Sequence, residues 1–119
     1  MTIKEVSKKY GISTDTLRYY ERIGLFPRIK RTASGIRNFD EEACEWIVFI
    51  KCMRDCDIQI APLTQYVALS FEKGTERQRL DILKEQRARL VRQRDELDAT
   101  LERLNKKVQH YEDVLNAQG

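Results

Sequence analysis

The segment that most constrains the fold lies near the end of the chain. From Glu76 to Asn116 there is neither glycine nor proline, so nothing in this segment interrupts a helix. Apolar residues recur there at helical spacing, at Leu80, Leu83, Leu90, Leu97, Leu101, Leu104, Val108, Tyr111 and Leu115. Their steps of three and four form a heptad seam, which predicts one long amphipathic helix.

This seam also predicts a partner helix. Arg87 and Arg94 occupy two of its positions and interrupt the apolar run. A single helix of this length cannot bury its own stripe, so it needs a second helix, most economically that of a second copy. The alternative is a helix that folds back on its own domain, but the stripe is longer than a small domain can cover. We therefore expect a homodimer held by the seam from Leu83 to Leu115.

Two short helices joined by a tight turn are predicted at the start of the chain. Thr2 and Glu5 are spaced as a capping box, which places a helix start directly after Thr2. Gly11 fits a left-handed cap that ends this helix, and Ser13 fits the N-cap of the next. Gly24 closes the second helix. The pattern is that of a helix-turn-helix.

Residues 28–39 are basic and contain a turn. They include four Arg or Lys and no acidic residue, and a Ser-Gly dipeptide supplies the turn. Ile29 before the turn, and Ile36 and Phe39 after it, are placed to anchor a small β-hairpin. A basic hairpin beside a helix-turn-helix predicts a wing.

Two further helices complete the N-terminal domain. Asp40 fits an N-cap, and the segment ACEWIVFIKCMRDC soon after it is the most apolar of the chain. Pro62 fits the first turn of the next helix. The fold is therefore expected to be mainly α. Its predicted parts are a winged helix-turn-helix domain at 1–71, a linker at 72–78 and a coiled-coil dimerisation helix at 79–119.

Composition narrows the classes of function. A net charge of +3 permits nucleic-acid contact without requiring it. No apolar run is long enough to span a membrane and the N-terminus lacks the apolar core of a signal peptide, so we expect a cytoplasmic protein with no membrane partner. The single histidine, His110, has no nucleophile at a catalytic spacing, and no glycine-rich phosphate loop is present. We expect no enzyme activity.

Two motifs in this order of elements resemble a known family. The segment TLRYYERIGLFP, followed by SGIRNFDEEACEWIVFIKCMR, is similar to the MerR family of bacterial transcription regulators. The resemblance is close over residues 1–71 and rests on architecture beyond them. It implies a homodimer, held by an antiparallel coiled coil, on double-stranded promoter DNA with an overlong spacer. The effector-bound dimer bends and untwists that DNA so that RNA polymerase, an indirect partner, engages both promoter elements.

The resemblance places the second helix in the major groove. Thr14, Thr16 and Arg18 lie on its outer side, where arginine can grip guanine bidentately. By the family's pattern Tyr20 offers its hydroxyl to a phosphate, and Tyr19 is a further candidate for DNA contact. For both tyrosines the alternative is a core ring with a solvated tip.

The wing is the second predicted DNA contact. Arg31, Ser34 and Arg37 match positions that contact the DNA backbone in the family, and Gly35 allows close approach of the main chain. The alternative is a merely solvated turn. A coiled-coil adaptor whose N-terminal domain binds protein is a further alternative for the whole chain, and the basic wing argues against it.

Three cysteines, an odd count, argue against a disulfide framework. Cys44 and Cys52 are eight residues apart on one helix, about 12 Å along its axis, too far for a shared metal or disulfide. Cys52 and Cys56 are one turn apart and could share Cu(I) or Zn(II), but two ligands are too few without His110 or a partner chain. We expect no metal and no other cofactor, and inert buried thiols at Cys44 and Cys56.

Cys52 is the candidate sensor. Its setting, FIKCMR, resembles the thiol-based branch of the family, which includes NmlR and AdhR and responds to aldehydes and other electrophiles through one cysteine in this helix. The chain has no large C-terminal drug-binding domain and no cysteine after residue 56. Lys51 and Arg54 would favour the thiolate, and Asp55 would oppose it. The alternatives are a metal sensor that uses Cys52 and Cys56, and a regulator that responds to a non-covalent ligand.

Overall fold

The computed structural model describes all residues from Met1 to Gly119. The chain forms two compact units, Met1–Ile82 and Leu83–Gly119. No helix is long and apolar enough to cross a membrane. The predicted, mainly α fold is confirmed, with five helices: α1 (Ile3–Tyr10), α2 (Thr14–Arg22), α3 (Glu41–Asp55), α4 (Ile60–Leu69) and α5 (Glu76–Gln118).

Local sequence signals set the starts of the first three helices. Thr2 and Glu5 form the predicted capping box, in which each backbone N–H donates to the other residue's side-chain oxygen, at 3.1 and 3.2 Å. Gly11 ends α1 with φ +68°, a left-handed conformation that glycine adopts without steric cost. Ser13 and Asp40 cap α2 and α3 through their side chains, as predicted.

The hydrophobic core of the first unit joins α1, α2 and α3 to the segment between α2 and α3. Each of the three helices contributes one central residue, and the intervening segment contributes two phenylalanines and one isoleucine. Leu17 is only 1% exposed, so α2 is fixed to the core by its inner face while its outer face stays available. The core cluster is Val6, Leu17, Phe26, Ile29, Phe39 and Ile47.

The predicted β-hairpin of the wing is not confirmed. Between α2 and α3 the structure has a single antiparallel bridge, Arg31 to Arg37, and no strand. Ile29 and Phe39 are buried as expected, but Ile36 is 60% exposed, so its predicted anchoring role is wrong. The two ends of the segment supply all of its buried apolar side chains. A ladder longer than one bridge therefore has no apolar face to support it.

An aromatic cluster joins α3 to α4 and the residues after it. The ring centroid of Trp46 on α3 lies 6.2 Å from those of Tyr66 and Phe71, and the Phe49 centroid lies 5.7 Å from that of Tyr66. These separations suit edge-to-face and tilted aromatic pairs. Between the two helices, Asp57 adopts φ +61°, an unusual conformation for a residue with a Cβ atom.

Helix α4 begins at Ile60, two residues before the predicted proline, and α5 begins at Glu76. Residues 76–78 of the predicted linker are therefore helical, while the domain boundaries at 71 and 79 remain predictions. In the second unit, which is part of α5 alone, the side chains from Leu97 to Leu115 on the seam are 49–69% exposed. A stripe of exposed apolar residues on one helix face indicates a surface that a partner covers.

Candidate nucleic-acid interface

Two of the five residues of α2 that were predicted to contact DNA are exposed. Arg18 and Tyr19 are exposed, whereas Thr14, Thr16 and Tyr20 are half-buried. The Arg18 guanidinium pairs with Asp15 at 3.3 Å, an exposed ion pair that a phosphate can replace at little cost. Their roles in DNA contact remain predictions.

The two tyrosines have different settings, as their spacing on the helix requires. Tyr20 packs against the core cluster, which leaves its hydroxyl end as the part able to reach outward. The Tyr19 ring lies 5.4 Å from the Arg22 guanidinium, within the range of a cation–π contact. Tyr19 therefore restrains an arginine that was not among the predicted DNA contacts.

The wing is stabilised by hydrogen bonds around its turn. The Arg31 guanidinium donates to the Gly35 carbonyl at 2.9 Å, and the Gly35 N–H donates to the Thr32 carbonyl at the same distance. Gly35 has φ +86° with no atom near the position of a Cβ, so its backbone conformation, rather than crowding, favours glycine. The hydroxyls of Thr32 and Ser34 are 3.0 Å apart. Ser34 and Gly35 are both exposed.

Glu21 joins the end of α2 to the wing, a role that was not predicted from the sequence. Its carboxylate accepts from the Arg37 Nε at 2.9 Å and from the Ile29 N–H at 2.7 Å. Burial raises the pKa of Glu21, but the hydrogen bonds from Arg37 and Ile29 outweigh it and leave the pKa below its ordinary value. One signal was available in the sequence, because Glu21 is the only acidic residue between Asp15 and Asp40.

Five arginines lie on the same surface as this carboxylate. With Glu21 they line an open depression of about 480 Å³, and two of them, Arg22 and Arg28, were not among the predicted contacts. A dense group of guanidinium groups on one surface is the expected footprint of a protein that binds the DNA backbone. We call this group the arginine cluster: Arg18, Arg22, Arg28, Arg31 and Arg37.

The three cysteines differ in exposure. Cys44 is half-buried, with its thiol 4.0 Å from the Met1 sulfur, while Cys52 and Cys56 are exposed. The predicted burial of Cys56 is wrong, because this residue is the C-cap of α3 and lies at the exposed end of that helix. No group of three or more side chains is placed to hold a metal ion.

Both cations next to Cys52 are engaged elsewhere. The Lys51 ammonium bonds to the Asp55 carboxylate at 2.9 Å, and the hydrogen bond and charge of that carboxylate raise the pKa of Lys51. The Arg54 guanidinium donates to the Ile58 carbonyl at 2.6 Å. Each of these two cations therefore has a bonding partner other than the thiol, and their expected assistance to a thiolate stays a prediction.

Comparison with known sequences gives one family. The family described as "MerR HTH family regulatory protein" matches residues 1–69. Over 93 residues the chain is 48% identical to the HTH-type transcriptional regulator AdhR of Bacillus subtilis (strain 168). This match covers 76% of the chain and 66% of AdhR, just under two thirds of that protein.

Two similar solved structures are described as MerR family regulators. A MerR family transcriptional regulator from Listeria monocytogenes superposes with a TM-score of 0.91 at 43% identity, covering 94% of this chain and 86% of that one. HiNmlR, described as a MerR family regulator lacking the sensor domain and bound to promoter DNA, gives a TM-score of 0.84 at 26% identity. That match covers 94% of this chain and 90% of HiNmlR.

Proposed function

Since the chain belongs to the MerR HTH family of regulatory proteins, we propose that it is a homodimeric transcription activator that responds to aldehydes or other electrophiles through Cys52. The protein is a regulator and not an enzyme. Its DNA target is a promoter whose spacer is too long, and the activated dimer distorts that spacer so that RNA polymerase engages both elements.

The observation that carries the sensor assignment is the placement of Cys52 on α3. Its side chain is exposed, so a small electrophile can reach the thiol. The opposite face of α3 carries Ile47, which packs in the same core cluster as Leu17 of α2. A change in the packing of α3 is therefore transmitted through one core to the helix that we place on DNA. The identity to AdhR supports this branch of the family.

Two surfaces support DNA binding by a dimer. The arginine cluster supplies sequence-independent attraction for phosphates, and α2 presents Arg18 for base contact. The exposed seam of α5 supplies the dimer contact, which sets the separation of two α2 helices on DNA. Bending DNA strongly costs on the order of several kcal/mol, so small changes in how the two DNA-binding halves are oriented alter the balance between the two DNA shapes.

The test is transcription in vitro from a MerR-type promoter with an overlong spacer, with and without formaldehyde or methylglyoxal. Wild-type protein is expected to activate after aldehyde treatment. Cys52→Ser is expected to bind the promoter and fail to activate, because hydroxyls do not add to aldehydes stably at neutral pH. Cys56→Ser is the matched control, since it is another exposed cysteine of the same helix end, and it should activate normally.

Mass spectrometry of the intact protein then separates the alternatives. An adduct on Cys52 alone supports the proposal, whereas induction that survives Cys52→Ser contradicts it. Loss of induction in both cysteine variants, together with bound metal in the purified protein, would favour a metal sensor that uses Cys52 and Cys56. Induction without any thiol adduct or metal would favour a non-covalent ligand.

A further inference from the structure

Glu21 occupies a position that is unfavourable for α2 itself. It lies in the last turn of the helix, where the helix dipole favours cations and disfavours a carboxylate. It also lies among the five guanidinium groups of the arginine cluster, on the surface that we assign to DNA. A negative charge at this place repels a phosphate, so its presence requires a separate reason.

The contacts of Glu21 supply that reason. One carboxylate oxygen accepts from the backbone N–H of Ile29, where the chain enters the wing, and the other accepts from Arg37, where the chain leaves it. The two side chains of this ion pair are well covered, at 11% exposure for Glu21 and 23% for Arg37. One carboxylate therefore fixes both sides of the single-bridge wing to the end of α2.

We propose that Glu21 is a positioning residue for DNA binding, which holds the wing arginines against the end of α2 so that the arginine cluster acts as one phosphate-binding surface. This proposal deepens the proposed function and rests on it. Glu21 does not contact DNA in this scheme. It acts through Arg37 and through the backbone at Ile29.

The short wing makes such a tie necessary. A ladder of one bridge cannot fix the direction of the segment, and Ile36 makes no apolar anchor. The Glu21 carboxylate is well covered and accepts two hydrogen bonds, one of them from an arginine. This is the geometry of a strong charge-assisted hydrogen bond. Without it, Ile29 and Phe39 still anchor the two ends of the wing in the core, but Arg31 and Arg37 lose the side-chain tie that joins the wing to the end of α2.

The test exploits two effects of opposite sign. Glu21→Gln removes a negative charge beside the DNA-binding surface, so charge alone predicts tighter binding. A positioning role predicts weaker binding, because the amide cannot hold Arg37 by charge. Asp15→Asn is the matched control, since it makes the same charge change on the same helix and frees Arg18, but its side chain is 95% exposed and supports no wing contact.

Binding is measured by fluorescence anisotropy with a mixed-sequence DNA duplex several helical turns long, between about 50 and 200 mM salt. For each phosphate that the protein no longer neutralises, Glu21→Gln should reduce the salt slope by about 0.9 and weaken binding by about eightfold at about 0.1 M salt. Asp15→Asn should bind as tightly as the wild type or more tightly. Arg37→Gln should resemble Glu21→Gln, and the double variant should be little worse than either single variant.

Circular dichroism and thermal melting establish that each variant is folded at the assay temperature. If a folded Glu21→Gln variant binds as tightly as the wild type, with an unchanged salt slope, the positioning role is wrong. Additive losses in the double variant would also overturn it, because they mean that Glu21 does not act through Arg37. The proposed function fails separately, since wild-type protein that shows no salt-dependent DNA affinity would overturn DNA binding itself.

Discussion

Replacing Leu104 by alanine should dissociate the dimer that we propose. Leu104 is central to the uninterrupted part of the seam and is 58% exposed in the protomer, so most of its apolar surface is free to be covered by a partner. Truncating a buried leucine to alanine costs about 2–5 kcal/mol. The change occurs twice in a symmetric dimer, and the partial cover of a two-helix seam favours the lower end of the range.

The expected loss is therefore about 4 kcal/mol, which corresponds to an increase of about a thousandfold in the dimer dissociation constant. Sedimentation equilibrium over a range of protein concentrations measures this constant directly. Lys106→Ala is the control, because Lys106 is exposed and lies between the seam positions on the polar side of α5. A change of less than about tenfold for Leu104→Ala, or an equal change for the control, would refute the dimer contact.

Three further predictions concern the first unit. Leu17→Ala should lower the free energy of unfolding by about 2–5 kcal/mol in denaturant titrations, because Leu17 is 1% exposed at the centre of the core. Asp57→Gly should raise the free energy of unfolding by about 1 kcal/mol, because φ +61° is unfavourable for aspartate and readily adopted by glycine. An unchanged melting temperature would contradict this prediction. The folded-state pKa of Glu21 is lowered, so its contribution to stability is present above the ordinary glutamate pKa of about 4.3 and is lost as pH falls through the folded value. The stability difference between wild type and Glu21→Gln should therefore shrink in acid, as measured by thermal melts.

The helix starts were predictable because each depends on residues a few positions apart. The capping box of Thr2 and Glu5, and the caps at Ser13 and Asp40, satisfy backbone N–H groups of the adjacent turn. No distant contact is needed to recognise them. The wing was predicted less well because its register depends on which residues reach the core. The pattern of Ile29, Ile36 and Phe39 gave no means of telling that Ile36 would stay exposed.

The same distinction holds for the candidate interface. The predicted arginines were found from the basic character of the segment and from a family resemblance. Glu21 was missed because its partners, Ile29 and Arg37, are eight and sixteen residues away, beyond the reach of any helical or hairpin spacing. Arg22 is one helical turn after Arg18 on α2, a spacing visible in the sequence, whereas Arg28 joins the arginine cluster through the path of the chain after α2.

The exposure of Cys52 places a condition on the sensor mechanism. A group added to a solvent-exposed side chain normally changes stability little. An adduct on an uncovered Cys52 thiol would therefore leave the packing of α3 almost unchanged. Val48, one turn earlier on the same face, is an apolar residue that is 44% exposed in the protomer. If Cys52 is the sensor, this face of α3 must be covered in the DNA-bound dimer, because only then does an adduct compete with packing.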